Sequence, residues 1–122
     1  MSRDLKLRIK LCAYAALGPG KVGLLEAVDR CGSITAAAKD QGMSYRRAWL
    51  LLDEMNRALA EPVVEASFGG AKGGGARLTA TGRTVIELYR RIEAKARAAI
   101  ADDLAVLARL LAPHGEDGSC SP

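Results

Sequence analysis

Two helix-start signals stand close together in this chain, Ser33 at the head of "SITAAAKDQG" and Ser44 at the head of "SYRRAWLLLDEMNRALAE". A serine hydroxyl just before a helix accepts a hydrogen bond from an otherwise unpaired backbone N–H, so each serine marks a start. Gly42 closes the first helix in the left-handed conformation that glycine tolerates. Only "QGMS" then remains to reverse the chain, so two helices are forced into a tight αα turn, a helix-turn-helix candidate. Ala36, Ala37 and Ala38 leave room for the second helix to approach closely. An ordinary helical hairpin inside a bundle satisfies the same pattern.

The flanks narrow the choice. Residues 5–13, "LKLRIKLCA", alternate Leu5, Leu7, Ile9 and Leu11 with Lys6, Arg8 and Lys10, the period of a half-buried strand with a basic outer face. "LGPGK" breaks the chain, and Pro19 opens a helix that carries Val22, Leu25 and Val28 at helical spacing and stops at Gly32. The helix begun by Ser44 has Ala48, Leu51, Leu52, Met55 and Leu59 on one stripe and runs toward Pro62. After it come "VVEAS", a glycine-rich stretch and "ARLT", two short strands around a flexible tip. Residues 80–112 read as one long helix or a closely joined pair. Tyr89, Ile92, Ala96, Ile100, Leu104, Leu107 and Leu111 step by three and four, a seam too long for so small a body to cover. A second copy of the chain is the expected cover. Residues 113–122 are polar and expected to be a disordered tail.

Composition excludes several classes. At 122 residues, with 49% hydrophobic and 26% charged, the chain has the size and balance of a single globular domain. No apolar run is long enough to span a bilayer, and "MSRDLKLRIK" has no apolar signal region, so a cytoplasmic protein without membrane contact is expected. Cys12, Cys31 and Cys120 have no CxxC spacing, so neither a disulfide framework nor a zinc site is expected, and Cys12 and Cys31 read as buried thiols. No cofactor is implied. His114 is the lone histidine and lies in the tail, which leaves no Ser-His or Cys-His pair, so no enzyme is expected. Charge is uneven: 15 Lys/Arg stand against 9 Asp/Glu up to Ile92, and 3 against 5 beyond it. A basic body suits a polyanionic partner.

Residues 69–75 hold five glycines and Lys72. A nucleotide-binding loop needs Ser or Thr after its lysine and a helix after the loop; here Gly73 follows and then a strand. A linker is disfavoured because neither side could form a core alone. The tip of a β-hairpin remains, and the order strand, three helices, hairpin, long helix is that of a winged helix-turn-helix. Glycines let the tip lie against a sugar-phosphate wall, with Lys72 and Arg77 supplying cations to phosphates.

"LGPGKVGLLEAVDRCGSITAAAKDQGMSYRRAWLLLDEMNR" with "FGGAKGGGARLTATGR" closely resembles the N-terminal DNA-binding domain of ModE-type molybdate-responsive regulators and, more distantly, the LysR-type winged helix. The match covers about residues 5–92. It departs at the wing, where that family usually has Thr at the place of Phe68 and Lys one place before Lys72. The chain is also expected to lack the C-terminal oxyanion-binding modules of full-length members, so molybdate binding by this chain is not expected. The resemblance implies a mainly α fold with a small β-sheet, a winged helix-turn-helix in the order β-α-α-α-β-β-α over residues 1–79, then the long dimerisation helix. It also implies homodimerisation, a two-fold symmetric operator in double-stranded DNA, and repression. The helix opened by Ser44 then enters the major groove, with Tyr45, Arg46, Trp49 and Leu50 outward and Arg47 at the edge. Ser33 and Thr35 touch phosphates or merely cap their helix; capping is favoured. The alternative function is an effector-binding or interaction protein that senses a small oxyanion at the dimer interface, near Lys21 and Arg30, or modulates a full-length ModE-type partner.

Overall fold

A computed structural model describes residues 5–67 and 75–113. The chain opens with a small hairpin, β1 (Ile9–Cys12) against β2 (Ala15–Leu17), antiparallel with Ile9 opposite Leu17 and Lys10 opposite Ala16. The sequence pattern foresees one strand over residues 5–13; the structure has a shorter strand and an added return strand. Cys12 pairs with Ala15, so Leu11 is an extra residue, a bulge that breaks the alternation. That is why Leu11, expected on the inner face, is exposed. β2 is invisible to periodicity because all three of its residues are buried.

Helix α1 (Pro19–Cys31) starts on its proline and ends at Gly32, whose φ of 77° is left-handed and whose N–H bonds to the Val28 carbonyl at 2.9 Å. It buries Val22, Leu24, Leu25, Ala27 and Val28. Its last turn projects past the core, so Cys31 is exposed, and Cys12 at the bulge is half-buried. The expectation of two buried thiols is therefore corrected. Helix α2 (Ile34–Asp40) is capped by the Ser33 hydroxyl, which accepts from Ala36 N–H at 3.1 Å. Its buried Ala37 and Ala38 let α1 and α3 (Tyr45–Ala58) close around it. Gly42 takes a positive φ of 66° in the turn, and Ser44 caps α3 by accepting from Arg47 N–H at 3.1 Å. Ala48, Leu52 and Met55 are buried, while Leu51 and Leu59 pack at the core's margin. α3 ends well before Pro62: Leu59 is already extended.

The wing is β3 (Val64–Ser67) against β4 (Gly75–Leu78), antiparallel with Val64 opposite Leu78. Ala76 N–H also bonds to the Gly32 carbonyl at 2.9 Å, tying β4 to the end of α1. Helix α4 (Ala80–Arg109) is one unbroken element of 30 residues, not a pair. Thr79 caps it, accepting from Gly82 N–H at 3.0 Å while donating to the Pro62 carbonyl at 2.6 Å. The first half of α4 is rooted in the core by Tyr89, fully buried, whose hydroxyl donates to the Leu7 carbonyl at 2.5 Å. No helix among the described residues is long and apolar enough to cross a membrane.

At Gly82 the helix backbone passes so near Val63 that an added Cβ would collide with the Val63 carbonyl oxygen. That oxygen already accepts from Thr79 N–H at 3.0 Å, so it cannot give way cheaply. Gly82→Ala is expected to destabilise the fold by about 1–3 kcal/mol. A urea titration checks it, and an unchanged midpoint would show that the root of α4 can shift.

Candidate nucleic-acid interface

At about 100° per residue, α3 has four sides. Ala48, Leu52 and Met55 face the core. One flank, with Tyr45, Trp49, Asp53 and Asn56, meets the wing. The opposite flank, with Arg47, Leu51 and Glu54, meets the N-terminal segment. Between the flanks an outer ridge carries Arg46 and Leu50, together with the exposed edges of Tyr45 and Trp49. Large apolar side chains crowd this ridge: Tyr45 is 53% exposed, Trp49 45% and Leu50 44%.

Electrostatics separate α3 from the rest of the body. Most cations are matched at close range: Lys21 to Glu54 (3.2 Å), Arg30 to Asp40 (2.6 Å), Arg57 to Asp53 (3.0 Å) and Arg90 to Glu26 (2.6 Å). Gln41 and Arg30 both donate to the Asp40 carboxylate, and these hydrogen bonds hold its pKa below the ordinary value. Lys21 and Arg30, the residues suggested by the sequence for an oxyanion, are thus both neutralised. Arg46 and Arg47 are exposed and have no carboxylate partner among the described residues. On the wing, Arg77 is exposed but paired across the strands to Glu65 at 2.9 Å, an exposed pair of the weak kind that a competing anion can open. Lys72 lies outside the described residues.

A cleft of about 390 Å3 separates α3 from the wing, lined by Ile34, Thr35, Tyr45, Trp49, Asn56 and strand residues on both sides of the hairpin. Trp49 therefore takes both places open to it from the sequence: one side walls the cleft and the other faces solvent. Ser33 is occupied in capping, and Thr35 is exposed at the cleft's edge. At the base of the cleft is a residue that sequence reasoning passes over. Asn56 accepts from Val63 N–H (2.8 Å) and Val64 N–H (3.3 Å), and its amide donates to the Val64 carbonyl (3.2 Å). It fastens the last turn of α3 to the first residue of the wing. Its sequence signal is only an asparagine one turn before a helix end.

Of the seam residues on α4, the structure places Tyr89 in the protomer's own core. Ile92, Leu107 and Leu111 are exposed, Ala96, Ile100 and Leu104 are half-buried, and Val106 and Leu110 add to the apolar surface. Glu93, beside Tyr89, is buried against Arg90 (2.8 Å) and Arg97 (3.6 Å), so the polar root of the helix gives way to an apolar outer half.

Comparison with known proteins matches residues 21–83 to the model of bacterial regulatory helix-turn-helix proteins, lysR family. The molybdenum-pterin-binding protein MopB of Rhodobacter capsulatus is 50% identical over 80 residues, 66% of this chain and 30% of its own. The molybdenum transport protein ModE of Azotobacter vinelandii is 42% identical over 85 residues, 70% of this chain and 32% of its own. The DNA-binding transcriptional dual regulator ModE of Escherichia coli K12 is 39% identical over 106 residues, 84% of this chain and 40% of its own. The chain thus spans well under half the length of these relatives. Among solved structures, the DNA-binding domain of CbnR in complex with DNA aligns with a TM-score of 0.53 at 25% identity, over 70% of this chain and 94% of that one. Both resemblances read from sequence, the ModE-type and the more distant LysR-type, are borne out, as is the winged helix-turn-helix fold.

Removing the Asn56 amide would leave the Val63 and Val64 backbone groups at the wing base without this partner. Asn56→Ala is expected to cost about 1–3 kcal/mol. Amide hydrogen exchange should accelerate first at Val63 and Val64. Exchange unchanged at those two positions would show that the clamp does not hold the wing.

Proposed function

Since the chain belongs to the LysR family of bacterial regulatory helix-turn-helix proteins, we propose that it is a sequence-specific DNA-binding transcriptional regulator, a homodimeric repressor and not an enzyme, acting in the cytoplasm. The observation that carries this is the Ser44-capped helix α3, whose exposed Arg46 and Arg47 have no carboxylate partner among the described residues and stand beside the wing. Its first turn enters the major groove. Arg46, on the outer ridge, reaches base edges, where an arginine grips guanine O6 and N7. Tyr45, Trp49 and Leu50 give apolar contact, the kind that reads a thymine methyl. Arg77 and Lys72 on the wing hold phosphates, which fixes register without reading sequence. The outer half of α4 pairs with its equivalent in a second copy and so presents two recognition helices to a two-fold symmetric operator. The relatives' molybdenum-related names point to genes of molybdenum handling as the targets. The alternative of oxyanion binding near Lys21 and Arg30 has lost its motivation, because both cations are ion-paired.

Two measurements test this reading. On a duplex selected from a random pool, Arg46→Ala is expected to cost about 1–3 kcal/mol and to relax preference at one base position per half-site. Lys72→Ala should weaken selected and scrambled duplexes alike and lower the salt slope by about one unit. The reverse pattern would invert the roles of helix and wing. Separately, Leu107→Glu should convert the chain to a monomer in sedimentation while leaving its helix content intact. A dimer that persists would move the interface off α4.

A further inference from the structure

The N-terminal segment lies outside the residues matched to the family, 21–83, and the interface described above makes no use of it. Lys6, Arg8 and Lys10 are exposed and alternate with half-buried Leu5, Leu7 and Ile9, so the three cations share one face. That face adjoins α3. Two cavities of about 430 Å3 each follow the flank of α3 that carries Arg47, Leu51 and Glu54. Lys6 and Arg8 line one together with Arg47; Arg8 and Lys10 line the other. Glu54 is the only carboxylate among their lining residues, and Lys21 already holds it at 3.2 Å. Lys6, Arg8, Lys10 and Arg47 have no carboxylate partner among the described residues.

The shape of this patch selects its partner. Alternate residues of an extended chain step about 6.6–6.8 Å, so the three cations form an open row roughly 13 Å long. A compact anion needs convergent donors, whereas a row suits a polyanion; one DNA strand offers a phosphate about every 3.4 Å along the axis. Position agrees. A helix lying in the roughly 12 Å wide major groove has a sugar-phosphate wall on each side. The wing stands on one flank of α3, and this row stands on the opposite one. Resting on the DNA-binding reading above, we infer that Lys6, Arg8 and Lys10, with Arg47, clamp the phosphate backbone on the side of the recognition helix away from the wing.

The test uses the full chain with Lys6→Gln, Arg8→Gln and Lys10→Gln combined. Binding to a duplex selected by the wild-type chain, and to a scrambled duplex, is measured by fluorescence anisotropy across a salt series. The salt slope should fall by about two to three units, at about 0.9 for each phosphate no longer neutralised. Affinity for both duplexes should drop at least tenfold with their ratio unchanged, and hydroxyl-radical protection should vanish from one backbone segment only. A control removes the same charge from α4 with Arg91→Gln, Lys95→Gln and Arg109→Gln and should keep the wild-type slope. Wild-type slope and protection in the N-terminal variant would overturn the inference while Arg46→Ala still loses binding, leaving the proposed function in place. An equal fall in the control would also overturn it, since net charge alone would then account for the effect. A wild-type chain that prefers no selected duplex would sink both readings, and unchanged circular dichroism excludes misfolding as the cause.

Discussion

The Asn56 amide joins two elements that must act together and that the chain has no other short way to align. α3 ends at Ala58 and the wing begins at Val64, with an extended connection between them. A connection of that kind leaves the angle between helix and hairpin free. Three hydrogen bonds from one side chain fix it, because a planar amide presents acceptor and donor in a set geometry to the Val63 and Val64 backbone. The far side of the wing is held in turn by the Gly32 carbonyl on Ala76 N–H, and its exit by Thr79 bridging Pro62 and Gly82. The wing base is therefore fastened to α3, α1 and α4 through polar groups whose partners are all specified. The cleft between wing and helix is a consequence of that fastening.

How much of this could be read in the sequence depends on how local the cause is. Pro19, Gly32, Ser33, Gly42 and Ser44 act on backbone groups within a few residues, and the structure has each in its expected role. The inward stripe of α3 is legible for the same reason, as periodicity is a property of one element. Three kinds of feature are not. β2 is three buried residues without alternation, and the bulge at Leu11 reverses a face by inserting one residue. Asn56 bonds to backbone that lies beyond the helix end, so its role exists only once the connection has turned. Tyr89 fits the long seam by spacing, yet its hydroxyl meets Leu7, 82 positions away, and the core claims it. In each case the deciding partner is supplied by tertiary structure.

Charge follows a similar division of labour. The cations of α1, of the far end of α3 and of the root of α4 are locked to carboxylates, several of them on neighbouring elements. Such pairs add little stability at an exposed surface, where water and salt screen them. Their larger effect is to silence positive charge over most of the body. What remains uncompensated on the body lies on the first turn of α3 and along the N-terminal row, so the field of a modestly basic protein is concentrated beside the helix that carries Arg46.

The single unbroken course of α4 has a mechanical meaning. Its first residues sit on the wing base and its last lie about 45 Å away, at 1.5 Å per residue. With no kink to absorb bending, a tilt imposed at one end arrives undiminished at the other. A tilt of about 10° displaces the far end by roughly 8 Å over that length. In a pair of such chains crossing through their outer halves, the crossing angle becomes the dial that sets the distance between the two recognition helices. Anything that changes how the outer halves nest would retune which operator spacing fits, without touching a residue that meets DNA.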